Sequence, residues 1–385
     1  MKALKNYMDK IRPNFQKDGK YHYLHSTFDA FDTFLFVPGW VTKKGSHIRD
    51  GIDLKRTMFM VVLATIPAML FGMWNIGYQH SLNSGEAMEF WGMFFYGFFK
   101  VLPIIIVSYV SGLGIEFIFA QMRGHEVNEG FLVSGILIPL IVPVSTPLWM
   151  VAVATIFAVI IGKEVFGGTG MNIVNPALLA RAFLFFAYPS QLSGDKVWIA
   201  DQVDGTSGAT PMGNLLTATE KADIDALPSA LDAFWGFIPG SVGETSTFAI
   251  LLGGIFLLLT GIASWRVMFS VFAGGYIMGL IFNLIGANVY MDLPAYYHLV
   301  IGGFAFGAVF MATDPVTAAQ TNRGKWIYGF LIGLMAVVIR VFNPAYPEGM
   351  MLAILLLNVF APLIDHYVIA GNIKRRMKRL QKVAA

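Results

Sequence analysis

The chain has 385 residues, 56% of them apolar and only 13% charged, with a formal net charge of +3 and no cysteine. Soluble globular chains are about a quarter charged, so this composition indicates an integral membrane protein. The missing cysteines exclude disulfides, thiolate iron–sulfur ligation and covalent haem attachment, so any redox centre is organic or held by other ligands.

Residues 1–56 read as a cytoplasmic N-terminal arm with eleven Lys/Arg and six Asp. Its aromatic stretch Phe31–Trp40 is too short to span a bilayer and suits interfacial packing or a partner contact. No apolar h-region of a cleavable signal occurs in the first 30 residues. Apolar runs follow at about 57–77, 101–121, 131–145, 147–162, 172–188, 246–263, 267–286, 298–312, 326–341 and 349–370. Several approach the roughly 20 residues that a span needs. The expected fold is an all-α integral membrane protein with about ten transmembrane helices.

Charge gives the orientation. Lys374, Arg375, Arg376, Lys378, Arg379 and Lys382 make 372–385 a basic tail with no acid. Arg123, Lys163, Arg266, Arg323 and Lys325 fall between segments on the same side, whereas 78–90, 144–148 and 287–297 hold no Lys or Arg. Both termini are therefore expected in the cytoplasm. The long loop 190–245, with eight acids against two lysines, is expected outside. Five segments on each side of that loop, 57–189 and 246–371, imply two inverted five-helix repeats. The third segments, Gly130–Pro143 and Gly302–Asp314, are short, glycine-marked and ended by Pro or Asp-Pro. Paired broken helices of this kind point to a midplane site; two ordinary short helices are the other reading.

The central loop contains Asp204-Gly205-Thr206-Ser207-Gly208-Ala209-Thr210. These are turn-forming residues. They also leave the Thr210 hydroxyl behind two residues with almost no side chain, open to an external enzyme. A match to Asp-x-x-[Ser/Thr]-Gly-Ala-Thr arises by chance on the order of once in a thousand chains of this length.

The motif resembles the flavinylation signature of the Na+-translocating NADH:quinone reductase (NQR) and of its relative, the Rnf ferredoxin:NAD oxidoreductase. The resemblance covers the whole ten-segment body and the arm, including Phe34–Trp40. The long arm is similar to that of the B subunit family of NQR; the homologous D subunit of the Rnf complex generally has a shorter N-terminus. The resemblance implies covalent FMN, joined by a separate flavin transferase through a phosphodiester to Thr210. Asp204, Ser207, Gly208 and Ala209 would be read by that transferase. It further implies a noncovalent riboflavin, quinone as electron acceptor, Na+ as transported ion and a bacterial cell inner membrane, with the flavin loop periplasmic. Partner subunits would include a second covalent-FMN subunit and an NADH-oxidising iron–sulfur subunit. No nucleic acid is expected. A threonine hydroxyl is a weak nucleophile that needs outside activation, and a phosphodiester leaves the flavin ring unmodified as a one-electron carrier.

Asn172 and Asn175 lie in a glycine-rich stretch before segment 5. Asn175-Pro176 is an N-cap with proline at the first helical position, and both asparagines are placed as riboflavin contacts. Gly112, Gly114 and Glu116 in segment 2, with Glu129 and Phe131 at the start of segment 3, are read as a quinone pocket: glycines, an aromatic and a carboxylate. Helix packing explains the glycines equally well. Asp314 at a helix break and Asp365 beside His366 are candidates on a Na+ route; pairing with Arg181 or another cation is the structural alternative. A non-redox channel or permease fits the repeat plan as well, but has no use for a flavin-acceptor threonine.

Overall fold

A computed structural model of the chain describes residues 2–16, 19–36, 45, 54–124, 127, 130–192, 194, 197–203, 207–218, 220–343 and 346–384. Among them every regular element is helical. The arm forms α1 (Lys2–Ile11) and α2 (His25–Leu35); its stretch 37–40 lies outside the described residues. Then come α3 (Leu54–Ser84), α4 (Phe90–Arg123), α5 (Phe131–Ile141), α6 (Leu148–Gly162) and α7 (Pro176–Ala187). The central loop carries three short helices, α8 (Pro211–Thr217), α9 (Lys221–Asp225) and α10 (Ala230–Trp235). Next are α11 (Thr247–Leu259), α12 (Trp265–Ile285), α13 (Tyr297–Val300) and α14 (Phe304–Phe306), which runs on as a π-turn Gly307–Met311. The chain ends with α15 (Asn322–Phe342) and α16 (Met350–Ala384).

Six of these helices are long and apolar enough to cross a membrane: α3, α4, α6 with its 3-10 continuation to Phe166, α12, α15 and α16. The other apolar runs give shorter elements. At 1.5 Å per residue, the 11, 12 and 13 residues of α5, α7 and α11 reach only about 17–20 Å, against a hydrocarbon core of about 30 Å. Local chemistry shortens them. Pro143 follows α5, Asn175-Pro176 fixes the start of α7, and Ser246 caps α11 by accepting from Ala249 N.

The lipid-type inversion of a globular protein is visible on α4. Phe99, Val110 and Met122 are 67%, 68% and 76% exposed, while Ser108 and Glu116 are buried. The short elements sit in the middle. Gly135 to Ile141 and Phe304 to Ala312 are buried throughout. α4 starts at Phe90 rather than near 101, because its aromatic first turns are helical, not loop. α16 runs unbroken into the basic tail.

The helices present two faces. On the arm face, Phe31 of α2 packs edge-on against Phe117 near the end of α4, ring centroids 6.2 Å apart. On the loop face, His80 of α3 bonds the carbonyl of Ala200 at 3.0 Å, and Lys100 of α4 pairs with Asp201 at 2.6 Å.

Candidate functional site

Thr210 occupies the loop face. Asp204, Gly205 and Thr206 lie outside the described residues; Ser207 to Thr210 are described. Pro211 opens α8, which makes Thr210 its N-cap, with Oγ1 accepting from Gly213 N at 3.2 Å. Ser207 Oγ likewise accepts from Ala209 N at 3.4 Å. Gly208 is buried, so the backbone before the hydroxyl is packed. Thr210 borders a cavity of about 470 Å³ walled by Phe185, Trp198, Leu216, Tyr346 and Glu348. That volume lies within the roughly 300–1,000 Å³ of small-molecule sites, which are mostly apolar with a few polar groups. A smaller space of about 20 Å³, bordered by Thr210, Ser241, Glu244 and Glu348, adjoins it.

Behind this cavity lies a buried charge cluster. Arg181 of α7 donates Nη1 to Glu244 Oε1 at 2.6 Å and Nη2 to Glu348 Oε2. Ser241 Oγ donates to Glu244 and Tyr346 OH to Glu348 Oε2, the latter at 3.2 Å. Arg340 of α15, fully buried, gives its donors to the carbonyls of Glu348, His298 and Ile301 at 3.0, 2.5 and 3.0 Å. The sequence singles out Arg181 as needing an acidic partner; the structure supplies two. Sequence reasoning misses Glu348 and Arg340. The desolvation cost that marks Arg181 marks Arg340 as well, since it lies inside an apolar run.

The second cavity is toward the arm face, at the other end of α7. It is about 90 Å³, and Asn172, Asn175, Asp314, Lys163, Thr169 and Gly130 are among its walls. Asn175 is the N-cap of α7, with Oδ1 accepting from Ala177 N at 2.9 Å and Leu178 N at 3.3 Å. Its Nδ2 reaches Asp314 Oδ2 at 3.4 Å. Asp314 also accepts from Val316 N and from Thr317 Oγ1, each at 3.0 Å. Thus a proposed riboflavin contact and a proposed cation ligand, 139 residues apart in sequence, share one wall. Asn172 Nδ2 donates to Val174 O at 3.2 Å. The Thr169 hydroxyl oxygen is buried with no hydrogen-bond partner among the described residues. It offers a bond to whatever enters.

The predicted quinone residues are only partly an open site. A Cβ on Gly112 would lie 1.9 Å from Phe131 Cζ, and Phe131 is 1% exposed. Here the glycine makes room for the ring. Gly114 faces open space. Glu116 is buried and takes the Lys163 ammonium on Oε1. Lys163 also lines the Asn175 cavity, which joins the two regions. Glu129 lies outside the described residues. Asp365 is engaged structurally: it accepts from the backbone of Gln320 and Thr321 at 2.6 and 3.0 Å, and from Thr321 Oγ1 at 2.5 Å. It tethers the cap of α15 and does not meet Asp314. Among the described residues no three His, Asp or Glu side chains are grouped as a metal site.

A family model, described as the NQR2, RnfD, RnfE family, matches residues 41–374. The chain belongs to this family. It is 51% identical to the B subunit of the Na(+)-translocating NADH-quinone reductase of Ectopseudomonas mendocina, over 98% of this chain and 99% of that protein. Azotobacter vinelandii has a B subunit equally similar, at 51% with the same coverage. The Chromohalobacter salexigens B subunit is 50% identical over 98% and 97% of the two chains. These homologues are named as parts of an oxidoreductase complex, and family membership implies a multi-subunit membrane assembly. With its six membrane-length helices, the chain is a multi-pass protein of the inner membrane.

Proposed function

We propose that this chain is the membrane subunit of a redox-driven sodium pump that carries covalent FMN on Thr210, takes up riboflavin, passes electrons to quinone and couples their passage to Na+ export. NADH oxidation belongs to partner subunits, including one with iron–sulfur chemistry and one with a second covalent FMN, and a flavin transferase matures the protein. The observation that carries this reading is Thr210, the last residue of an acceptor motif, on the edge of a ligand-sized, largely apolar cavity. The Gly213 amide fixes the direction of its hydroxyl. Phe185, Trp198 and Leu216 give the space beside it apolar walls. FMN bound there supplies one-electron chemistry.

For riboflavin the polar set fits better than the space does. Asn172, Asn175 and the unpartnered Thr169 hydroxyl suit a ring edge, but about 90 Å³ is well under the roughly 300 Å³ at which ligand sites begin. Riboflavin binding therefore requires the walls to part. α7 borders both cavities, through Asn175 and Pro176 at one end and Phe185 at the other. Ten residues of helix separate those walls by about 15 Å. Quinone is assigned to the arm face near Gly114 and Glu116, with Glu129 a further candidate from the sequence alone, and cation handling to Asp314.

The same reading holds the fold to be ten crossings in two inverted repeats, 57–189 and 246–371, with both termini cytoplasmic and the flavin loop 190–245 periplasmic. Packing supports it. α4 meets α6 as α12 meets α15, and α6 meets α7 as α15 meets α16. α5 packs on α3, α4 and α7; the α14 π-turn packs on α11, α12 and α16. α3 touches α11 and α7 touches α16, pairs that a two-fold relation between halves would map onto themselves. The deciding experiment is in-gel fluorescence of the denatured chain co-expressed with its transferase. A flavin band that disappears in Thr210→Ala supports the function; no band in the wild-type chain sinks it.

A further inference from the structure

We infer that Glu348, held in place by Arg181 and Tyr346, keeps the reduction potential of the flavin on Thr210 low. This deepens the proposed function and rests on Thr210 being the flavin acceptor. Among the described residues lining the Thr210 cavity, Glu348 is the only one with a charged side chain. It also borders the small space between Thr210 and Glu244. Its position is fixed, because Arg181 and Tyr346 both bond its Oε2.

The charged group that faces the cavity is the carboxylate, with both guanidiniums set behind it. One guanidinium, Arg181, serves two carboxylates, Glu244 and Glu348. The second buried guanidinium, Arg340, spends its donors on three backbone carbonyls. With Arg340 the cluster is formally neutral, two guanidiniums against two carboxylates, but the Glu348 carboxylate is the member that lines the cavity. Adding an electron to a ring beside a fixed negative charge in a low-dielectric pocket is unfavourable, and charge near the ring is one of the ways a protein tunes a flavin. A low potential suits a carrier that must hand its electron onward.

The test is a redox titration of the detergent-solubilised full chain bearing its covalent flavin, with in-gel fluorescence run on every variant. Glu348→Gln keeps size and an acceptor for Arg181 but removes the charge. Its flavin band persists and its midpoint rises by at least tenfold in the one-electron equilibrium, about 59 mV. Tyr346→Phe keeps the ring and the carboxylate but removes one hydroxyl that shields it, so its midpoint falls. Opposite signs in the two variants distinguish electrostatic tuning from a general loosening of the pocket, which moves both the same way. Glu348→Asp keeps the wild-type sign of charge and stays nearest the wild-type value. An unchanged or lowered midpoint in Glu348→Gln with the band present overturns the inference and leaves the Thr210 assignment standing. Where Glu348→Gln does not fold, a Tyr346→Phe midpoint that fails to fall overturns it. Loss of the band in the wild-type chain is failure of the Thr210 assignment itself.

Discussion

Arg181→Met is the most informative single disruption of this fold. Arg181 is 4% exposed and joins α7 to the segments that lead into α11 and α16, through Glu244 and Glu348. Methionine retains most of the side-chain volume, so the loss is electrostatic. Removing one partner of a buried ion pair costs roughly 3–5 kcal/mol. Counting bonds gives a similar figure: two charge-assisted hydrogen bonds vanish at about 1.5–3 kcal/mol each. Two features hold the cost to that range. Ser241 and Tyr346 still donate to the two carboxylates, and the Arg181 Nε, buried without a partner among the described residues, goes too. Against a typical net stability of about 5–15 kcal/mol, the loss is large. Fluorescence-detected size exclusion after heating, on full chain in detergent, reads the ranking without assuming two-state unfolding. Arg181→Met is expected to melt well below wild type. Adding Glu244→Gln and Glu348→Gln to it is expected to recover more than half of the loss, because neither side chain is then a carboxylate left without its guanidinium, while Arg340 keeps its three carbonyl acceptors. A single variant that melts with wild type, or a triple variant worse than the single, refutes the reasoning.

The same heating assay separates two neighbouring glycines. Gly112→Ala drives a methyl into the buried Phe131 ring and is expected to cost about 1–3 kcal/mol by overpacking, while Gly114→Ala meets nothing within 4 Å and is expected to melt at or above wild type; equal behaviour of the two rules out the packing role of Gly112. On the loop face, the Lys100 ammonium and then the Tyr96 hydroxyl hold the Asp201 carboxyl below its ordinary value of 3.8. A depressed carboxyl contributes above its unfolded value and loses that contribution as pH falls through the folded one, so limited proteolysis of the 197–203 segment is expected to be flat from pH 7 to about 5 and to rise only below the ordinary value. At 59% exposure of Asp201 the pair is worth only about 0–1 kcal/mol, and added salt weakens it; a proteolysis rate that climbs between pH 7 and 5 contradicts the assignment.

Element positions were legible because apolar runs are hard to hide. Each predicted run contains a helix, and Asn175-Pro176 announces the start of α7 through a cap that the structure contains. Lengths were less legible. Hydropathy sums over a window and sees α5 and α11 as apolar, but whether a run reaches across 30 Å depends on the residues that stop it. The aromatic start of α4 went the other way: Phe90–Phe99 lies before the predicted run at 101–121, yet it is helical and packed, with Tyr96 stacked on His80 at a ring-centroid distance of 4.4 Å.

Site chemistry was legible where a residue carries its function in local sequence and illegible where it depends on a distant partner. Thr210 stands in a seven-residue motif. Asn175 and Asp314 each had a local signal, a cap and a helix break, but their meeting across the two halves is a property of the fold. Glu116 shows the limit most clearly. An intramembrane carboxylate is costly unless paired, and that cost alone does not say whether the group exchanges protons with a quinone or is held by a cation. Lys163 is that cation, and one side chain both holds Glu116 and lines the Asn175 cavity. Moving charge at either place therefore changes the field at the other. Glu348 stands in the same relation to the Thr210 cavity and Arg181. At both ends of α7 a buried ion pair forms part of the wall of a candidate flavin site, so the groups that hold the helices together also set the electrostatics in which a flavin would work.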